Sequence, residues 1–170
     1  YTSITFMTEP LCDTLTLAGP IEVELMTAIS STEDDFMVKV IDVYPEKFEY
    51  SKTARNYLKS DYPMSGYQLM IRGELFRGRF RKGFDNPLPF KPEEITPVNY
   101  TLYDVAHTFL PGHRLMIQIQ SSWFPIIDRN PQKFIDTYHC TVEDFVMKQK
   151  IKIYHQQGAA SRVILPVVKK

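Results

Sequence analysis

Cysteine is almost missing from this sequence: Cys12 and Cys140 are the only two among 170 residues. They lie far apart and fit neither a Cys-x-x-Cys nor a zinc-ligand spacing. Each reads as an isolated core thiol, because free cysteine is usually buried and inert. A disulfide between them is the alternative in an oxidising compartment. Glycine is also scarce, with seven residues, and no two of them sit four apart. The Gly-x-Ser-x-Gly elbow that exposes a hydrolase nucleophile is therefore absent. Gly78 and Gly83 have P-loop spacing, but Phe84 stands where a lysine is required. The four histidines (His107, His113, His139 and His155) form no His-x-x-x-His pair. No metal site or cofactor motif emerges. Excess charge of either sign is lacking too, with 20 basic against 20 acidic residues. That balance supplies no long-range field to gather nucleic acid or an anionic membrane. No apolar run approaches the length of a membrane span. The chain starts at Tyr1 with no charged-then-apolar leader, so it reads as a processed product or a piece of a larger protein. Its compartment depends on a leader outside these residues.

What is present points to sheet. Ten Tyr and eleven Phe give 13% aromatics, and aromatic side chains suit a pleated, half-buried surface. A chain of this length can bury roughly 70% of its unfolded surface, enough for a core without staples. Residues 21–30 put Ile21, Val23, Leu25, Thr27 and Ile29 on one parity, with Glu22 and Glu24 on the other. This period of two predicts a strand with one buried face. Residues 36–44 form a second β-branched run stopped by Pro45, and the short gap between the two suggests an antiparallel hairpin. Residues 46–64 read as a long surface loop with one helical turn at 53–58. Further strands are expected at 66–75, 98–105, 113–122, 151–154 and 163–165. A proline-rich connector at 86–97 and a turn at Pro111-Gly112 separate them. A short helical turn is expected at 143–148. Many short strands with crossing loops predict an all-β sandwich, with residues 1–170 as a single domain.

Two constellations are candidates for chemistry. Arg77, Arg79 and Arg81 alternate, so in a strand all three guanidinium groups share a face. They read either as an anion clamp or as partners of acids on neighbouring elements, with Glu33, Asp34, Asp35, Asp42 and Asp128 as candidates. The second is Trp123-Phe124-Pro125 followed by Asp128-Arg129-Asn130. An aromatic platform beside Asp and Asn suits a sugar ring. The same residues suit an anchor packed on another domain. Asn99-Tyr100-Thr101 matches a glycosylation sequon, which alone carries little.

The motifs together resemble the C-terminal domain of the X-Pro dipeptidyl-peptidase, cocaine esterase and α-amino-acid ester hydrolase group. That group also includes the glutaryl-7-aminocephalosporanic acid acylases. Five blocks carry the resemblance in order. They are residues 17–21 (LAGPI), 30–45 (SSTEDDF running to IDVYP), 73–81 (GELFRGRFR), 109–131 (FLPGHRL to SSWFP and DRNP) and 161–167 (SRVILPV). The resemblance implies a jelly-roll, galactose-binding-like sandwich that packs on an α/β-hydrolase domain of the same parent chain. It implies that the parent hydrolyses an ester or amide through a Ser-His-Asp triad lying before this region. No catalytic residue carries onto this sequence, and no cofactor is implied. The domain is expected to buttress the fold, border the active-site cleft and support homo-oligomers, with a carbohydrate-binding module as the alternative. Residues 46–64 are longer than the turn usual after the Asp-Val-x-Pro block.

Overall fold

The alternation in the sequence becomes the two faces of real strands. The computed structural model describes residues 3–57, 62–146 and 148–169. Its strands are β1 (Ile4–Met7), β2 (Leu15–Ile29), β3 (Asp35–Val43), β4 (Gln68–Arg77), β5 (Thr96–Phe109), β6 (Arg114–Gln120), β7 (Ile151–Ile153), β8 (His155–Gln156), β9 (Ala159–Ala160) and β10 (Arg162–Ile164). One short helix, α1 (Lys52–Tyr57), lies in the loop between β3 and β4. One antiparallel sheet runs β1-β6-β3-β4. A second runs β10-β2-β5, and β7 joins it by pairing with the end of β2. The two inner faces meet in one apolar core, so the chain is an antiparallel β-sandwich, as its sequence predicts.

That core holds the expected parity of β2, with Ile21, Val23, Leu25 and Ile29 at most 1% exposed. Val98, Leu102, Val105 and Phe109 of β5 extend that face beside β2, and Phe36, Val38 and Val40 of β3 oppose it from the other sheet. Burying each such side chain fully is worth roughly 1.5–3 kcal/mol. Tyr100 reaches across from β5 to donate its hydroxyl to the Phe36 carbonyl at 3.0 Å, and its ring stacks on Phe76 of β4. Burial pushes the Tyr100 phenol pKa up, so this hydroxyl stays a donor.

Three expectations need correction. β2 begins six residues before position 21, because Gly19-Pro20 does not end the strand. The pairing with β5 slips there, Gly19 takes a positive φ of 124°, and the proline sits in the resulting bulge. β2 and β3 form no hairpin. β2 pairs with β5, β7 and β10, and β3 pairs with β4 and β6, so residues 30–34 cross from sheet to sheet. Five residues suffice for either connection, and which one forms is set by the strands that pair with β2 and β3. The thiols are not core residues, since Cys12 is exposed and Cys140 half-buried, and both are free.

The loop after β3 carries α1 where the helical turn is expected, although Leu58 falls outside the described residues. An aromatic chain from Tyr44 to Phe48 to Tyr50, with centroids 5.0 and 5.1 Å apart, holds its start against the sandwich. The helical turn expected at 143–148 is a 3-10 turn at Val142–Asp144, and Met147 falls outside the described residues.

Candidate functional site

Three consecutive acids in the crossing between the sheets organise the candidate residues. Glu33 and Asp34 are fully buried and Asp35 is 1% exposed. Buried carboxylates must be paired or neutralised, and each of these has partners. Arg79 makes a forked contact to Glu33, also donates to the Ile135 carbonyl at 3.0 Å, and lies over the Phe134 ring. Gln149 donates to Asp34 at 2.8 Å. Asp35 accepts from Arg77 at 3.2 Å and from Asn130 at 2.7 Å. Burial raises the pKa of all three acids, Asp34 most clearly, against the lowering effect of Arg79 on Glu33, of the Asp35 amide on Asp34, and of Arg77 and Asn130 on Asp35.

The arginines therefore meet two of the acids expected for them, Glu33 and Asp35, but not as a stripe on one strand. β4 ends at Arg77, and a 3-10 turn at Gly78–Phe80 follows. The Gly78 amide bonds the Asp34 carbonyl at 3.0 Å, so the chain turns in towards the crossing. A Cβ at Gly78 would lie 2.6 Å from the Phe90 ring. Arg81 turns away from the acids. It donates to the carbonyls of Gly78, Leu88 and Pro89 and covers the Phe90 ring at 4.2 Å. All three guanidinium groups are thus engaged within the domain.

The Trp123–Asn130 loop opens the long connection 121–150 between β6 and β7. Asn130 points inward, bonding Asp35 with its amide and accepting from the Gln132 amide at 2.7 Å. Trp123 is half-buried, whereas Phe124, Asp128 and Arg129 are exposed, and Arg129 lies 5.9 Å from the Phe124 ring centroid. Other ties run from Ser31 to the Gln132 carbonyl and from the Phe134 amide to Thr32 at 2.9 Å. The acidic crossing thus fastens a connection whose only helical piece among the described residues is the 3-10 turn. Beneath it lies an open cavity of about 650 Å³, lined by Phe36, Ile119, Gln120, Phe145, Lys148 and Gln149 among others.

A second constellation escaped the sequence reading. Asp42, on the inner face of β3, accepts from His107 Nε2 at 2.9 Å and His113 Nδ1 at 2.8 Å. His107 belongs to β5 in the opposite sheet, so the carboxylate ties the two layers together. The signal was available: Asp42 shares the parity of Phe36, Val38 and Val40, and a buried acid needs donors. Among the described residues, no hydroxyl or thiol is hydrogen-bonded to any of these histidines. A histidine held by an acid supports nucleophilic chemistry only when it also meets a nucleophile. The described residues also contain no group of three or more His, Cys, Asp or Glu placed to hold a metal ion.

Comparison with known proteins places this geometry. Residues 2–164 match the family described as the X-Pro dipeptidyl-peptidase C-terminal non-catalytic domain. The chain belongs to this family. It is 26% identical over 165 residues to the cocaine esterase of Rhodococcus sp. (strain MB1 Bresler), covering 97% of this chain and 25% of the esterase. It superposes on a solved α-amino acid ester hydrolase with a TM-score of 0.87 at 36% identity, covering 98% of this chain and 25% of that one. An aminopeptidase from the marine sediment archaeon Thaumarchaeota archaeon gives a TM-score of 0.87 at 32% identity, covering 98% and 26%. The chain thus spans about a quarter of the length of these relatives.

Proposed function

We propose that this chain is the non-catalytic C-terminal part of a serine hydrolase that cleaves ester or amide bonds. In this reading it has the jelly-roll, galactose-binding-like architecture, packs on an α/β-hydrolase domain of the same parent and borders the active-site cleft. The observation that carries the reading is the family match over nearly the whole chain, to relatives four times as long that are named as an esterase, an ester hydrolase and an aminopeptidase. The geometry supports it. Glu33 and Asp35 pair with Arg79 and Arg77, Asp34 accepts from Gln149, and among the described residues the histidines on Asp42 meet no nucleophile, so the polar clusters hold the shape of the sandwich. The reacting serine, its base and its acid would lie in the part of the parent preceding this region, where attack by the base-assisted serine forms an acyl-enzyme. The domain's share would be to position a wall of the cleft.

The test is turnover of aryl esters, α-amino acid esters and X-Pro anilides by residues 1–170 and by the whole parent. The parent is expected to turn over at least one class, and residues 1–170 none. Turnover by residues 1–170 that is lost on changing one of its own side chains refutes the reading.

A further inference from the structure

The two sheets leave a gap at one edge of the sandwich. On one side stands β1, whose Ile4 pairs with Ile119 of β6, which in turn pairs with Val38 of the core. On the other stands β7, three residues long, whose Ile151 and Ile153 pair with Ile29 and Thr27 of β2. All four isoleucines therefore carry the inner parity of their strands. So short a strand covers little of β1, and Ile4 stays 40% exposed. The gap is the cavity of about 650 Å³ beneath the 121–150 connection, lined also by Phe36 and Phe145. Its size and mainly apolar walls suit a small molecule, given a few placed polar groups.

Those polar groups give the cavity a sign. Among the described residues, its charged lining groups are Asp35, Arg129 and Lys148. Asp35 is 1% exposed and satisfied by Arg77 and Asn130, so the charge a ligand meets is positive. Lys148 is exposed, and its ammonium has no ion pair or hydrogen bond among the described residues. The Ser121 hydroxyl is likewise without a partner among them. Other lining amides are engaged: Asn130 with Asp35, Gln149 with Asp34, and Gln120 with the Ser122 carbonyl. The geometry points to a binding site for a carboxylic acid with a compact apolar body. The isoleucines and the two phenylalanines enclose the body, and Lys148 and Ser121 hold the carboxylate through charge-assisted hydrogen bonds. A cationic ligand would meet Arg129 and Lys148 with like charge. The source of the acid rests on the reading above: each turnover by the parent splits an ester or amide with water and releases a carboxylic acid, so the site takes the acyl product.

The test is calorimetric titration of the full-length parent with phenylacetate, after its reacting serine has been capped by a fluorophosphonate. Phenylacetate is expected to bind, and phenylacetamide and phenethylamine about tenfold or more weakly, because hydrogen bonds between charged groups are worth that much. Lys148→Met and Val142→Asp change exposed positions of the lining. Each should weaken phenylacetate by a similar factor, and Lys148→Arg should keep the binding. No binding by a parent that turned over an ester or amide before capping overturns the site and leaves the proposed function intact. Binding unchanged in both variants places the acid elsewhere and overturns the site equally. Tighter binding of phenethylamine than of phenylacetate overturns the ligand class. A parent that hydrolyses nothing but binds phenylacetate through Lys148 supports the site and refutes the reading that makes its ligand a product.

Discussion

Replacing Arg79 by methionine probes the acidic crossing most sharply. The substitution keeps an unbranched apolar stem and removes the guanidinium. Glu33, fully buried, then loses both arms of its forked partner, and the Ile135 carbonyl loses a donor. Breaking a buried pair from one side costs about 3–5 kcal/mol, because the remaining charge is uncompensated. For a chain of this size that corresponds to a drop of roughly 6–20 °C in melting temperature. The pH dependence follows from the direction of the Glu33 shift. Burial already raises its folded pKa above the ordinary carboxylate range, and Arg79 holds it down. Without Arg79 the folded pKa rises further. A raised acid contributes stability that is complete below its unfolded pKa and is lost as pH rises through its folded pKa. The penalty of Arg79→Met should therefore be small near pH 4 and grow towards pH 8. Urea unfolding at a series of pH values measures it. A penalty below about 1 kcal/mol that does not change with pH would mark an ordinary surface pair and refute the reasoning.

Other perturbations follow from single contacts. Tyr100→Phe removes the donor to the Phe36 carbonyl and should cost about 1–3 kcal/mol, read as a lower urea midpoint with an unchanged m-value. Gly78→Ala forces a Cβ against Phe90 and the Asp34 carbonyl, and overpacking of this kind costs about 1–3 kcal/mol. In Asp42→Asn, one of the two histidines faces an amide N–H in place of an acceptor. That ring should switch tautomer, visible in long-range ¹H–¹⁵N imidazole spectra, and unchanged spectra for both rings would count against the bridge.

The sandwich was legible because period-two burial survives along most of β2, whereas β3 is a β-branched run buried on both faces. Ile21 through Ile29 alternate in sequence as they do in space. Legibility failed where one local pattern serves two topologies. Five residues between β2 and β3 fit a hairpin as well as a crossing, and the choice depends on which distant strands pair with each. The strand was read only from Ile21, because the bulge that carries it through Gly19-Pro20 is made with β5, some eighty residues away. Arg77, Arg79 and Arg81 alternate as a strand would, but the close packing of Gly78 under Phe90 turns the chain after Arg77. Their acidic partners could be named from sequence as candidates, since a run of three acids is conspicuous. The inward role of Asn130 could not, because its partner Asp35 lies almost a hundred residues away. The histidines on Asp42 were read singly, although the parity of Asp42 already placed a carboxylate inside the core.

The central claim is that this domain gives its parent architecture and none of the reacting groups. Labelling the full-length parent with a serine-directed fluorophosphonate and mapping the adduct by mass spectrometry tests this most directly. The account predicts one labelled serine, lying before residue 1 of this chain, with residues 1–170 unlabelled. An adduct on any serine of this chain, Ser121 or Ser122 included, accompanied by loss of turnover, would contradict it.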